Sequence, residues 1–377
     1  MSFIKLNSNS VLAFFAAIAL LAFVLVENST HNERQKYYDE KLVAATLARD
    51  AAKQIKEYRL KNGVFIDAVN DPNETALIGQ DITPITTDRG YIDAKLASTN
   101  PNFAAVVVEM LQRAGVKEND HVAVAMTGSF PGLNISVLSA LEALHVKPII
   151  ITSVGASNFG ATDPELTWLD MERVLNEAKV FRMRSVAASI GGGSDVGRGL
   201  SPEGRGMILS AIKRNNVELI NEGRIEASVQ KRMKVYGAHS SGAPIKAFVN
   251  VGGSIASLGS LVTGEVIPNG LVMELPAKNY PMRGVIVEMA KRGIPIIHLY
   301  DIRKLWVEFG LPLNPMPMPE LGSGGIFIRE KYNITLTWIA VSVLAALTAI
   351  AVYLDKKRHK LGVDIVANQT STSVHEI

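Results

Sequence analysis

The 377-residue sequence contains no cysteine. This absence excludes a disulfide scaffold, thiolate zinc sites, iron–sulfur clusters and a cysteine nucleophile. The net charge is also small: the chain has 39 Lys and Arg and 36 Asp and Glu, which gives a net charge of +3. The short stretch Asp355–Lys360 supplies this excess by itself. The remainder of the chain is balanced in charge, which disfavours nucleic acid as a partner.

Motifs for metals and cofactors are missing as well. None of the 7 histidines has a metal-binding spacing such as His-Glu-x-x-His. No Gly-Lys-Ser/Thr follows a glycine-rich turn, and no such turn fits the dinucleotide fingerprint. We therefore expect neither a bound metal nor a cofactor.

Two long runs without any charged residue lie near the ends of the chain, at Leu6–Val26 and Ile334–Leu354. A membrane-spanning helix needs about 20 such residues. Tyr332 and Tyr353 flank the second run, as in an aromatic belt. The first run could instead be a signal peptide, but the absence of a small-x-small cleavage site after it favours an uncleaved anchor.

The positive-inside rule sets the orientation of the predicted spans. Four basic residues at 356–360 directly follow the second run, so this end is expected in the cytoplasm. Two spans put both termini on that side of the membrane. The sequence predicts a cytoplasmic end and span at 1–27, an extracytoplasmic domain at 28–332 that returns to the membrane over 311–332, and a span at 333–354. A basic cytoplasmic tail follows at 355–377, and its polar part from Leu361 to Ile377 is expected to be disordered.

Between the two runs, buried strands alternate with glycine-rich turns and helices. The strand segments are "HVAVAM", "KPIIIT", "VFRMRSVAASI", "IKAFVNV" and "IPIIHLY". Continuous apolar strands that alternate with helices predict an α/β domain with a largely parallel sheet and helices on both faces. A helix is expected over 34–60, either as a stalk or, as we favour, packed on the domain, and another is expected from Asn100-Pro101 to Gly115.

In such folds ligands bind at the carboxyl ends of the strands, where these turns lie. The first turn carries Thr127, Gly128 and Ser129, and Asn134 follows in the next helix. Its backbone N–H groups and the helix dipole favour an anion. Three interpretations stay open: a turn with a serine cap, a ligand site, or a nucleophile at Ser129, although the Gly-x-Ser-x-Gly elbow is absent.

The second turn spans residues 191–206 and is rich in glycine. Glycine permits close approach of the backbone to a ligand, and arginines can clamp carboxylates. We expect ligand binding by Gly192, Gly193, Ser194, Asp195 and Arg198, with Arg205 nearby. The pair Ser194 and Asp195 is also a candidate for catalysis. A flexible solvent loop is the alternative.

Other strand ends carry polar residues of the same kind. The further candidates are Gly252, Gly253 and Ser254 after "IKAFVNV", Ser153, Ser157 and Asn158 after "KPIIIT", and Thr86, Thr87, Asp88 and Arg89 in "PITTDRG". Each set alone is typical of a turn. Their joint presence at strand ends predicts one shared polar cleft.

The histidines offer one candidate general base, His239, which is followed by two serines. Ser129, His239 and Asp195 are of the residue types that form a catalytic triad, but nothing in their spacing supports the geometry that a triad requires. His298 lies in an apolar strand and is interpreted as a hydrogen-bonded core residue.

Three long segments, "TGSFPGLN", "SVGASNFGATDPELTWLDME" and "GGGSDVGRGLSPEGR", together resemble the bacterial poly-γ-glutamate system protein family. The resemblance runs from Pro84 to "IPIIHLYDI" and includes the flanking apolar runs. It implies a membrane accessory protein of capsule-type poly-γ-glutamate synthesis or export, with the ligase and export proteins as partners. It carries over no catalytic residue.

Two functions follow as hypotheses. In the first, the outer domain binds or guides poly-γ-glutamate or another carboxylate-rich ligand, and the spans contact membrane partners. In the second, the domain is a hydrolase or transferase of γ-glutamyl chains, with Ser129 or the Ser194–Asp195 pair in its site. The near-neutral charge argues for a local cleft that reads one or two units rather than a broad electrostatic groove.

Overall fold

The computed structural model describes residues 9–64 and 66–372, with side chains at 12–64 and 66–357. The chain divides into two units. One is continuous and covers Gln35–Ile328; the other combines the residues up to Arg34 with those from Arg329 onward.

The described residues form the following helices and strands. The helices are α1 Asn9–Glu27, α2 Tyr38–Lys61, α3 Ile92–Ser98, α4 Phe103–Arg113, α5 Pro131–Ala143, α6 Trp168–Glu177, α7 Pro202–Arg214, α8 Ile225–His239, α9 Ile255–Leu258, α10 Leu261–Val266, α11 Val285–Ala290, α12 Ile302–Glu308 and α13 Ile334–Thr372. The strands are β1 His31–Arg34, β2 Thr86–Asp88, β3 His121–Thr127, β4 Lys147–Ser153, β5 Ala156–Ser157, β6 Ala187–Ser189, β7 Glu218–Ile220, β8 Ile245–Val251, β9 Gly270–Val272, β10 Ile296–Leu299 and β11 Ile328–Lys331.

The larger unit is built on a seven-stranded sheet in the order β7-β6-β4-β3-β8-β10-β9. Every pairing in it is parallel except that of the edge strand β9 with β10. The prediction of a largely parallel sheet is confirmed. The short edge strands β7 and β9 have no counterpart among the predicted strands, and β6 is shorter than the predicted segment "VFRMRSVAASI".

Both faces of the sheet are covered by helices. Alternate residues of β3 belong to different cores: Val122 and Val124 pack with α2, α4 and α5, whereas Ala123 and Ala125 pack with α8 and α11. A strand buried on both sides must be apolar at every position. This is why β3, β4 and β8 were readable from the sequence almost to the residue.

Helix α2 packs against α4 and α5. Its buried residues are mostly alanines, such as Ala44, Ala45 and Ala48, which allow close approach. It ends at Asn62 and at Gly63, whose φ is +65°, as predicted. The interpretation as a packed helix is correct and the stalk interpretation is wrong.

Helix α4 begins later than the sequence indicated. Asn100 does not cap it; its Oδ1 accepts a hydrogen bond from the Asn102 N–H at 3.0 Å within a preceding turn. The regular helix starts at Phe103. Gly115, with φ of +80°, follows its end as expected.

The smaller unit contains α1, α13 and a two-stranded sheet of β1 and β11. The helices contact each other, and Glu33 forms an ion pair with Lys331. Helix α13 runs through Thr372, so residues 361–372 are helical rather than disordered. Residues 373–377, the rest of the expected disordered tail, lie outside the described part.

Within the described residues, one helix is long and apolar enough to cross a membrane, Ile334–Lys357, with a mean hydropathy of 2.1. The apolar part of α1, Leu12–Glu27, is shorter than a span requires. The first span and the extracytoplasmic location stay predictions.

Candidate functional site

The order of the sheet creates a crevice at its carboxyl edge. The chain runs from β3 outward through β4, β6 and β7, and then returns to the other side of β3 with β8 and β10. The connection after β3 therefore leads to one side of the sheet, and the connection after β8 leads to the other side. Ligands of open α/β sheets bind at such a switch point.

A cleft of about 500 Å³ opens at this place. The structure brings most of the predicted polar turns together in it. The predicted residues that line the cleft are Thr87, Asp88, Arg89, Thr127, Ser129, Ser153, Ser157, Gly192, Gly193, Gly253 and Ser254.

The other predicted residues do not line the cleft. Several of them shape the backbone instead: a Cβ on Gly128 would lie 2.3 Å from the carbonyl oxygen of Val154, and Gly252 has a φ of +78°. The Asn134 side chain is buried, and its Nδ2 donates to the carbonyl oxygen of Thr127 at 2.8 Å. These residues hold the ends of β3, β4 and β8 close together.

Asn158 and Arg198 also lie outside the lining. Asn158 contacts Asp81 and accepts a hydrogen bond from the Gly90 N–H at 3.2 Å. Arg198 exposes its side chain to solvent, and Arg205 donates to the carbonyl oxygen of Leu200 at 2.6 Å. The structure therefore does not bring these two arginines into the cleft.

Asp195 in the glycine-rich loop forms a buried ion pair with Arg232 of α8. The two side chains are 2% and 1% exposed, with Nη2 and Oδ2 at 2.9 Å. Asp195 also accepts hydrogen bonds from Ser189 at 2.7 Å and Ser228 at 2.6 Å. Its carboxylate is saturated, and Ser194 lies outside the cleft lining, so the structure corrects the hypothesis of a catalytic Ser194–Asp195 pair.

This buried pair supports the floor of the cleft. Arg232 donates to Ser153 Oγ at 3.1 Å, and Ser153 Oγ lies 2.9 Å from Ser254 Oγ. Both serines line the cleft. Arg232 was not a candidate in the sequence, because a lone arginine on a helix carries no signal of burial.

His239 is exposed at the end of α8. That helix leads into the amino end of β8, so His239 lies at the opposite edge of the sheet from the cleft. The structure corrects its assignment as a general base. His298 is fully buried with Nδ1 at 3.1 Å from Asn250 Nδ2, and burial lowers its pKa to about 4, so its interpretation as a core residue is confirmed.

Ser129 uses its oxygens to hold the neighbouring loop. Its Oγ accepts a hydrogen bond from the Ser157 N–H at 3.0 Å. It does not cap α5, because the residue before that helix is Phe130. The serine-cap interpretation is therefore wrong.

Sequence reasoning missed several titratable groups at the cleft: Glu265, Tyr300, Asp301 and Arg303 in its lining, and Lys95 of α3 beside it. The side chain of Lys95 is 1% exposed. Its Nζ contacts the carbonyl oxygen of Ser129, lies 2.8 Å from Ser157 Oγ, and lies 3.8 Å from the centroid of the Phe130 ring. Among the described residues no carboxylate pairs with it.

The face of an aromatic ring attracts a cation, yet burial without a counter-charge dominates and lowers the pKa of Lys95 to about 7. At neutral pH this amine is therefore neutral in about half of the molecules. Nothing in "IDAKLAST" distinguishes this lysine from one on a solvated helix face.

The mouth of the cleft carries charges of both signs. Arg89 and Arg303 line it, and neither has an acidic partner among the described side chains; Arg303 instead lies 5.6 Å from the Tyr91 ring centroid. Burial first and then Glu265, Asp88 and Asp301 raise the pKa of Tyr300, which lines the same cleft. These three carboxylates are called the acidic group.

Comparison of the chain with protein-family models, with curated proteins and with solved structures gave no match. Function is therefore argued from the cleft.

Proposed function

We propose that this protein is a membrane-anchored accessory protein of poly-γ-glutamate synthesis or export whose cleft binds the carboxylates of the acidic chain. The observation that carries the proposal is the pair Arg89 and Arg303. Both line the cleft, and a guanidinium without an acidic partner is suited to bidentate recognition of a carboxylate.

The acidic group limits what the cleft can accept. Asp88, Glu265 and Asp301 line the same cleft as the two arginines, so they would repel a long run of carboxylates. A single unit or a chain end, with its carboxylate on the arginines, reduces this repulsion. The serine and threonine hydroxyls of the lining supply neutral hydrogen-bond partners.

The location proposed is the inner membrane of a bacterium, with the cleft outside the cytoplasm and both termini inside. The apolar helix Ile334–Lys357 and the basic residues after it support this orientation. Small residues such as Ala345, Ala346 and Ala349 in that helix suit contact with the ligase or export proteins.

Binding is tested with the full chain in detergent and size-defined poly-γ-glutamate, by calorimetry. The variants are Arg89→Gln and Arg303→Gln, and the matched control is Arg198→Gln, an exposed arginine outside the cleft. A charge-assisted hydrogen bond contributes about 1.5–3 kcal/mol, so each cleft variant should weaken binding about tenfold or more. Unchanged affinity in both cleft variants, or an equal loss in Arg198→Gln, would contradict the proposal.

Topology is tested by a single introduced cysteine, since the chain has none of its own. Val69 is 89% exposed, so Val69→Cys should accept a maleimide that cannot cross the inner membrane. We expect labelling in intact cells, with the parent chain as a zero control. Labelling only after lysis would place the cleft in the cytoplasm and exclude the proposed orientation.

A further inference from the structure

Ser129 holds a lysine and a second serine in one fixed arrangement. Its carbonyl oxygen accepts from Lys95 Nζ, and its Oγ accepts from the Ser157 N–H at 3.0 Å. Lys95 Nζ then lies 2.8 Å from Ser157 Oγ. Ser157 lines the cleft, whereas the lysine lies behind it, buried among Ser129, Phe130 and Ser157.

A neutral amine in this position has one lone pair. With one N–H directed to the Ser129 carbonyl oxygen, the lone pair can face the Ser157 hydroxyl and accept its proton. A serine hydroxyl is a weak nucleophile until a neighbouring base removes its proton, and a desolvated lysine is one of the groups that can do so.

We propose that Ser157 and Lys95 form a nucleophile–base pair that cleaves or transfers γ-glutamyl amides in the cleft, a substrate class that rests on the proposed function. The hydrolase or transferase hypothesis is thereby moved from Ser129 to Ser157. Ser129 becomes a positioning residue, because both of its oxygens hold members of the pair.

In the first step Ser157 Oγ attacks the carbonyl carbon of the amide, and its proton passes to Lys95 Nζ. The new C–O bond gives a tetrahedral adduct; the C–N bond then breaks, and the leaving amine takes the proton from Lys95. In the second step water, or the amine of another chain, attacks the acyl-serine ester. Lys95 removes a proton from that attacking group and returns it to Ser157 Oγ.

The other serines of the cleft are less suited to this role. Ser153 donates to Asp195 Oδ1 at 3.3 Å, but that carboxylate is already paired with Arg232, and Ser254 Oγ lies 2.9 Å from Ser153 Oγ. The Oγ of Ser129 accepts from the Ser157 N–H. The reactive serine is therefore predicted to be Ser157.

The pair is tested on the full chain in detergent with a fluorophosphonate, which forms a covalent adduct with activated serines. Intact mass and peptide mapping should place the adduct on Ser157 and show none in Ser157→Ala. The matched control is Ser194→Gly, which removes a serine outside the cleft and suits the φ of +56° there. An adduct elsewhere, or none in the parent chain, would overturn the assignment.

The role of the lysine is tested by the pH profile. The labelling rate of the parent chain should increase as the pH rises through about 7 and should then become constant. Lys95→Met should be labelled at least about a hundredfold more slowly without losing thermal stability. A lysine with only a structural role would leave the labelling rate independent of pH in this range. That result would overturn the assignment of Lys95 as the base.

Chain length of poly-γ-glutamate, followed by light scattering, separates this inference from the proposed function. Binding without adduct or shortening refutes the catalytic pair and leaves the binding function standing. An adduct on Ser157 without polymer binding confirms the pair and refutes poly-γ-glutamate as its substrate.

Discussion

Replacing Lys95 by methionine should change how the stability of the domain depends on pH. The pKa of Lys95 is lowered to about 7 in the folded chain, whereas an unfolded lysine titrates near pH 10.4. Between these values the unfolded chain binds one more proton than the folded chain. The stability of the parent chain must therefore rise as pH increases from about 7 toward 10, and below 7 the fold carries the full cost of a buried ammonium.

The size of the effect follows from the two pKa values. Between pH 6 and pH 9 the folded chain releases this proton while the unfolded chain keeps it, which should raise the free energy of unfolding by about 3 kcal/mol. Lys95 is only 1% exposed, so solvent screening does not reduce this value. Lys95→Met leaves the Ser129 carbonyl oxygen without this donor, but that cost is the same at every pH.

The assay is denaturant unfolding of the full chain in detergent, followed by tryptophan fluorescence. Trp168 and Trp306 are fully buried in the larger unit and report its unfolding. Burial raises the pKa of Glu172 to about 7 and lowers that of His298 to about 4. Both groups titrate in either chain, so the difference between parent and variant isolates Lys95. Parallel pH curves would refute a lysine with a lowered pKa.

Two further predictions use the same unfolding assay. Arg232→Met should lower the free energy of unfolding by about 3–5 kcal/mol, because it leaves the Asp195 carboxylate buried without its cation. Combining it with Asp195→Asn should lower the free energy of unfolding by less than the sum of the two single changes. Strict additivity would show that the pair is not coupled. Gly204→Ala should destabilise the fold, because the new Cβ would lie 2.0 Å from the carbonyl oxygen of Pro84. Gly206→Ala is the control in the same helix: its Cβ meets nothing within 4 Å, so this change should stabilise the fold by about 1 kcal/mol. Equal effects of the two glycine changes would show that the contact with Pro84 does not constrain the helix.

The central strands were predictable because their burial leaves a local signal. Strands β3, β4 and β8 are apolar at nearly every position, and the observed β8, Ile245–Val251, has the bounds predicted from "IKAFVNV". The edge strands β7 and β9 are three residues long and leave no comparable pattern. Their formation depends on a neighbouring strand that the local sequence does not specify.

The dense glycines were only partly interpretable. Glycine-rich turns predicted a ligand site at the strand ends, and the cleft lies there. At several positions, however, glycine is required because one backbone segment touches another: a Cβ at Gly132 would lie 2.3 Å from the carbonyl oxygen of Ser98, and one at Gly160 would lie 2.7 Å from that of Gly128. The sequence cannot distinguish a backbone that approaches a ligand from one that approaches another backbone.

The groups that give the cleft its chemistry were the hardest to foresee. Lys95 and Ser157 are 62 positions apart, and Asp195 and Arg232 are 37 apart. Each residue alone is ordinary in composition and spacing. Only the folded chain makes one lysine neutral and one arginine buried, since both properties depend on which groups exclude water around them.

The lysine links stability to chemistry in a way that two independent measurements can separate. An ammonium buried without a carboxylate destabilises the fold below pH 7, and Lys95→Met should remove that cost. The same desolvation makes the amine basic and available to Ser157 at neutral pH. A parent chain that shows the stability slope but no adduct on Ser157 would have a perturbed lysine without catalysis. A chain that shows the adduct without the slope would need another base, because a charged lysine cannot accept the serine proton.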